Sequence, residues 1–332
     1  MVDILKKQWF VVLIAIIFIG FTVFIIYDTN KGKLPGKSVD GKDVIATIGD
    51  TNITADDLYE QMYEKQGGQS LVFLRYQAAV IDAEIETTDE IEENAKQVQE
   101  YFLSNIQNQA SNSGMTVDAL TKSQLAQYGF KEDELEAFCI LQAKIEKMGK
   151  NYTEKHLDEL FTKMQKENNG RIVSHILVKM KDANNPTKEE MKTVRAIEKD
   201  LKTMSFAEVA KKYKDKGDTV SAENGGYLGY MDKTTSFVDS FKKAALKLKK
   251  GEVSGWVKEK NANYSGWHMI KVEETDKDAM LKDEKAKKSI FDTIYSDPNT
   301  ITNAFKELAK QSDVSYGNDD IKKDIESFLK SK

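Results

Sequence analysis

The pattern of hydrophobic and polar positions opens with an uninterrupted apolar run. Trp9 to Tyr27 is nineteen residues without a charge. At ~1.5 Å per residue a helix of that length spans about 28 Å, the depth of a bilayer's hydrocarbon core. Lys6 and Lys7 precede the run, and Trp9 and Tyr27 stand at its ends. The pattern therefore predicts a single-pass helix over residues 1–29, with its amino end in the cytoplasm and the bulk of the chain outside the cell membrane. The run stays bulky through Phe24-Ile25-Ile26-Tyr27. It lacks the small residues of a cleavage site, which argues for an anchor rather than a removed signal. Residues 30–43, rich in Gly, Lys, Asp and Ser and containing Pro35, read as a tether.

From residue 44 the period changes. Val44-Ile45-Ala46-Thr47-Ile48 predicts a strand, Gly49-Asp50-Thr51-Asn52 a turn, and Ile53 the start of a return strand. Up to Gly170 the repeat is then helical. Leu71, Leu74 and Ala78 form one stripe. Ile91, Val98, Phe102 and Ile106 form another, in a long helix from Thr88 to about Asn112. A short helix runs from Thr116 to Tyr128. Leu135, Phe138, Leu141 and Ile145 mark a helix ending near Gly149. Leu157, Leu160, Phe161 and Met164 mark a separate one, stopped at Asn168-Asn169-Gly170.

Residues 171–274 differ in character. They open with Ile172-Val173-Ser174-His175-Ile176-Leu177-Val178 and close with Ser265-Gly266-Trp267-His268-Met269-Ile270-Lys271-Val272, two strand-like runs. Between them lie an amphipathic helix, the glycine turn Asn224-Gly225-Gly226-Tyr227-Leu228-Gly229 and a second helix. Beyond, residues 275–332 return to helices, with Ile290, Phe291 and Ile294 on one face and a break at Pro298. Ile301, Phe305, Leu308 and Ala309 follow, then a short strand candidate at Val314-Ser315-Tyr316. A last helix carries Ile321, Ile325, Phe328 and Leu329.

The chain has three histidines, and two of them, His175 and His268, sit mid-strand at the two ends of the 171–274 segment. An imidazole among Val, Ile and Leu needs a hydrogen-bond partner. Each is the obvious partner of the other if the two strands are neighbours. His156, near a helix start, reads as a surface or capping residue. Composition narrows the remaining possibilities. The 332 residues are 40% hydrophobic and 31% charged, with a net charge of -5, which suits about two soluble domains. With only Arg75, Arg171 and Arg195 as arginines on a weakly acidic chain, nucleic acid is not an expected partner. The single cysteine, Cys139, excludes an internal disulfide and a cysteine metal cluster. The Asn-Gly-Gly turn lacks the spacing and lysine of a phosphate loop.

Five pieces of the 171–274 segment occur together: His175-Ile-Leu-Val178, the helix Phe206-Ala-Glu-Val-Ala-Lys-Lys-Tyr213, Gly226-Tyr-Leu-Gly229, Phe241-x-x-Ala244-Ala245-Leu246-x-Leu248-x-x-Gly251-Glu252-Val253-Ser254, and Gly266-x-His268-x-Ile270-Lys271-Val272. In order and spacing this resembles the parvulin family of peptidyl-prolyl isomerases. The strand-turn-helix start at residue 44 resembles the amino-terminal domain of SurA and PrsA chaperones, and the whole chain resembles PrsA-type extracytoplasmic foldases. The resemblance implies an α+β fold: a membrane anchor helix, a discontinuous helical chaperone-like domain made of 44–170 and 275–332, and an inserted parvulin-like domain, 171–274, with a small antiparallel sheet flanked by helices.

The resemblance also implies a site. His175 and His268 fall on the family's paired histidines and Ser265 on a hydroxyl position beside them. Leu228, Phe237 and Phe241 fall on the cup for the prolyl ring. The family has Asp or Cys seven residues before the glycine turn. Counting back from Gly226 reaches Thr219, and a one-residue insertion puts Asp218 there. The turn carries Tyr227 where the family usually has a carboxylate, and a second hydroxyl position is Asn263. Such a site needs neither cofactor nor metal. The implied partners are unfolded secreted polypeptides with X-Pro segments, and a homodimer is compatible with the pattern. Two other readings stay open: a holdase with a catalytically weak domain, which the changes at Thr219 and Tyr227 favour, and a cell-wall-associated scaffold.

Overall fold

The short apolar runs become strands in two places and the helical repeat fills most of the rest. The computed structural model describes residues 38–39, 41–48, 51–56, 58–59, 68–260 and 265–330. The apolar run Trp9–Tyr27 lies outside these residues. Among the described ones no helix is long and apolar enough to cross a membrane. Two units can be separated, Met1–Phe73 and Leu74–Lys332.

In the first unit, β1 (Ser38–Val39), β2 (Lys42–Ile48) and β3 (Thr51–Thr54) form an antiparallel meander. Part of the segment expected to be a tether is thus paired: Ser38 lies opposite Asp43 and Val39 opposite Lys42.

Helix α1 (Gly68–Glu84) runs across the division, and the second unit continues with α2 (Asp89–Ser113) and α3 (Val117–Gln127). Thr88 and Thr116 cap these two helices by accepting hydrogen bonds from Ile91 N–H and Ala119 N–H. Helix α4 (Leu135–Asn168) is the spine of the unit: 34 residues, or about 51 Å. The expectation that a helix ends near Gly149 is corrected here, because α4 runs through it unbroken. A Cβ at Gly149 would collide with Ile301 and Tyr295. This glycine serves close packing of a neighbouring helix, not termination. The chain then lays down β4 (Arg171–Lys179), α5 (Lys188–Asp200), α6 (Phe206–Lys212), α7 (Thr219–Glu223), β5 (Tyr227–Met231), α8 (Asp239–Ala245), β6 (Val257–Lys260) and β7 (Ser265–Glu274). It finishes with α9 (Lys277–Lys282), α10 (Glu284–Tyr295), α11 (Pro298–Ala309) and α12 (Asp319–Lys330). Pro298 starts α11 at its first turn, where its missing N–H costs nothing. The predicted strand at Val314–Tyr316 is a loop, since no described strand offers it a ladder.

Strands β5-β4-β7-β6 make a four-stranded antiparallel sheet. Its two faces bury different cores. Ile176, Val178, Trp267 and Met269 pack with Val194 and Ile197 of α5 and Phe206 and Val209 of α6. Val173, Ile270 and Val272 pack with Phe241 and Ala245 of α8. A third cluster joins the sheet to the helices: Leu157 and Phe161 of α4, Ile172, Tyr230, Met280, Ile290 and Ile294. Helices α10 and α11 also lie along α4. There His156 Nε2 and Lys155 Nζ meet the Glu307 carboxylate at 2.7 and 2.6 Å.

Candidate active site

The antiparallel register of β4 and β7 sets His175 opposite Ile270 and Leu177 opposite His268. The two histidines are therefore diagonal neighbours on one face of the sheet. Both are buried, and their Nδ1 atoms are 3.1 Å apart with the rings stacked at 24°. The His175 backbone N–H donates to Gly226 O at 2.7 Å, which fixes the strand against the glycine turn. Gly226 has φ +82, and a Cβ there would collide with the His175 carbonyl. No other residue fits that approach.

The other ring nitrogen, His175 Nε2, lies 2.9 Å from Ser221 Oγ and 3.2 Å from Asp218 Oδ2. Asp218 is the N-cap of α7, and its Oδ1 accepts from Ser221 N–H at 3.2 Å. One carboxylate thus starts a helix and faces an imidazole. A carboxylate oxygen only accepts, so Nε2 of His175 carries the proton and Nδ1 accepts from His268 Nδ1–H. Both rings are held neutral. Burial pulls the His175 pKa below its usual 6.5 against the pull of Asp218. Burial, together with the nearby His175, takes His268 down to about 3. Burial alone would raise Asp218, but hydrogen bonds from Ser221 and His175 outweigh it and keep it below the ordinary carboxylate range.

Beside the pair stands an aromatic wall. Phe241 presents its ring edge-on, with centroids 6.1 Å from His175 and 5.4 Å from His268. Phe237 stacks on Phe241 at 5.1 Å, and Leu228 joins the same apolar cluster, half-buried. Leu228 sits at an irregularity of the ladder: Val173 pairs with Gly229 and Ser174 with Tyr227, so Leu228 is the extra residue of a bulge.

Of the residues expected at the site, the structure brings His175, His268 and Asp218 into one network and sets Leu228, Phe237 and Phe241 beside it. Ser265 is not in it. Three residues from His268 on a strand, it belongs to the opposite face, and its Oγ accepts from Ala183 N–H at 2.7 Å. Thr219, one residue past Asp218, donates its hydroxyl to Lys214 O. Asn263 lies outside the described residues. Ser221 was not anticipated. Its signal was the spacing Asp-x-x-Ser, which reads as a helix cap whose third residue returns to the cap.

Residues 175–274 match the PPIC-type PPIASE domain of the Rotamase family. This segment is a parvulin-type domain. The chain is 37% identical over 171 residues to foldase protein PrsA of Staphylococcus epidermidis, covering 48% of this chain and 50% of that protein. It therefore spans about half the length of the curated relative it matches there. Foldase protein PrsA of Levilactobacillus brevis is 26% identical over 301 residues, 88% of this chain and 90% of that protein. The crystal structure of PrsA from Bacillus subtilis is 25% identical and covers 85% of this chain and 97% of its own, with a TM-score of 0.43. The parvulin domain begins at the first histidine of the pair and ends two residues past Val272.

Proposed function

We propose that this chain is a peptidyl-prolyl cis-trans isomerase and foldase that assists secreted proteins on the outer face of the cell membrane. The observation that carries the reading is the buried His175–His268 pair, oriented by Asp218 and Ser221, set against the Leu228, Phe237 and Phe241 cluster.

The geometry suits the reaction. Peptide-bond rotation meets a barrier of about 18–20 kcal/mol, because resonance gives the C–N bond double-bond character. No covalent step is needed to lower it. A prolyl ring seated on Phe241 and Leu228 is shielded from water, and the twisted peptide, having lost resonance, is less polar than the planar one. The apolar wall therefore favours the twisted state over the ground state. The neutral histidine network supplies a fixed set of dipoles that does not reorganise during rotation. In this reading the histidines orient and polarise. They do not transfer a proton, consistent with a His268 pKa of about 3.

The rest of the chain is read around this domain. The Trp9–Tyr27 run supports a single-pass anchor. The packing of α10 and α11 along α4 supports a helical body that the chain enters twice, before and after the inserted segment 171–274. Unfolded secreted polypeptides are the proposed clients, as the word foldase in the relatives' names suggests. A second reading, holding without catalysis, is favoured by a separate cleft of about 670 Å³. Leu157, Leu281 and Phe291 give it apolar surface, and Glu90, Lys147 and Lys287 give it charges of both signs.

The test is isomerisation of short X-Pro peptides by the full-length chain in detergent. The wild type accelerates the reaction, and His268→Ala slows it by roughly a hundredfold, as loss of one oriented dipole does in a preorganised site. No acceleration by the wild type, with aggregation of an unfolded protein still suppressed, would replace the isomerase reading by the holding one.

A further inference from the structure

The matched domain ends at Glu274, yet the edge of its sheet does not. Strand β5 is an edge strand of the four-stranded sheet. An edge strand has a row of backbone groups facing outward with no ladder to satisfy them. Here α10, which begins ten residues past the domain's end, covers that edge. Ser289 Oγ accepts from Tyr230 N–H at 2.8 Å. Lys285 Nζ sits 3.8 Å from the centroid of the Tyr227 ring. Gly229, at φ +89, lets the helix approach, since a Cβ there would collide with Ser289. Behind these contacts Tyr230, Ile290 and Ile294 share one buried cluster with Phe161 of α4.

The residues tied to α10 are the immediate neighbours of Leu228. Tyr227 precedes it, and Gly229 and Tyr230 follow it. Leu228 is also the one residue of that stretch that the ladder to β4 leaves without a partner. A bulged residue points where its two neighbours send it. On one side those neighbours are held by β4; on the other they are held by Ser289 and Lys285. We infer that α10, through Ser289 and Lys285, is a positioning element for Leu228 in the wall that receives the prolyl ring. The inference rests on the isomerase reading for its consequence in catalysis, but not for its geometry. It means that the position of one residue of the substrate wall depends on a helix beyond the domain's end, so a displacement of α10 reaches the cup through Tyr227 and Tyr230.

The experiment uses the full-length chain with two variants. Ser289→Ala removes the acceptor from a half-buried position, and Lys285→Gln removes the cation from an exposed one. Both leave the apolar cluster intact, and thermal melting checks that they fold. Two readouts are taken. The first is X-Pro peptide isomerisation, split into KM and kcat. The second is the nuclear magnetic resonance position of the Leu228 methyl groups, with hydrogen exchange at the Tyr230 amide. In Ser289→Ala, KM should rise roughly two- to tenfold, the worth of one hydrogen bond, with kcat moving less. The Leu228 methyls should shift and the Tyr230 amide should exchange faster. Lys285→Gln should change KM and the methyls in the same direction by less. Unchanged KM and unmoved Leu228 methyls in both variants would overturn the inference. If the wild type itself shows no isomerisation, the functional reading falls instead. The methyl shifts then still decide the positioning, for or against.

Discussion

The two faces of the β5-β4-β7-β6 sheet are built on the same backbone and do opposite things. On one, Ile176, Val178, Trp267 and Met269 meet α5 and α6 in a core of apolar and aromatic side chains, with the Trp267 indole N–H taken up by Ala183 O at 2.8 Å. On the other, Val173, Ile270 and Val272 begin the same kind of core with α8, but His175 and His268 interrupt it. The first face is held by volume and area, which do not depend on direction. The second is held by a chain of donors and acceptors, each of which must point correctly: Asp218 to His175, His175 to His268. The first face can therefore be damaged without touching the chemistry, and the second can lose its chemistry without unfolding.

The largest expected effect tests the first half of that statement. Ile197 is fully buried in the α5 face. Ile197→Ala should cost about 2–5 kcal/mol in urea unfolding, from lost transfer free energy plus the cavity left behind. Below the unfolding midpoint its X-Pro turnover per folded molecule should equal the wild type's. A fall in turnover at full folding would show that the two faces are not separable.

The next effect exposes the histidine face to acid. Folded, His175 and His268 both have pKa values below the usual 6.5, chiefly because they are buried. Unfolded, they regain it. Below pH 6.5 the unfolded chain therefore binds protons that the folded chain refuses, and stability falls as pH drops. The slope is at most about 1.4 kcal/mol per pH unit for each histidine. For His268 the loss continues toward its folded value of about 3. Urea midpoints taken at steps between pH 7 and 5 check this, a window above the range where carboxylates begin to titrate. A His268→Leu variant should flatten the slope. A midpoint that rises on acidification would mean the pair is charged in the folded state.

These contrasts were partly legible in the sequence. The short apolar runs at 172–178 and 265–272 located β4 and β7, and the histidine in each located the pair. Long-range geometry was not legible. That Ser265 turns away from His268 follows from strand parity, which resemblance to a motif does not supply. Gly149 read as a helix stop, because a local rule cannot see Ile301 and Tyr295 arriving from a distant helix. Asp218 and Thr219 could not be separated by counting alone. The cap geometry separates them, since only the residue before α7 can both accept from Ser221 N–H and reach the His175 ring.

The smallest effect is the sharpest, because it removes one charge and almost nothing else. Asp218→Asn keeps a side-chain oxygen for the α7 cap, and Asn caps about as well as Asp, so the unfolding midpoint should move by less than about 0.5 kcal/mol. What it loses is the anion facing His175 Nε2 at 3.2 Å. Asp218 raises the His175 pKa against burial, so in the variant that pKa should fall further and the ring should stay neutral. The anion also selects the tautomer. Without it only Ser221 Oγ, which can donate as well as accept, faces Nε2, and a ring protonated at Nδ1 can no longer accept from His268. Isomerisation should drop by about three- to tenfold, the scale of one ordinary hydrogen bond. The imidazole nitrogen resonances of His175 should report a mixture of tautomers. If they report the Nε2–H form unchanged, Asp218 is a helix cap that happens to lie near a histidine, and the neutral pair must be oriented by Ser221 alone.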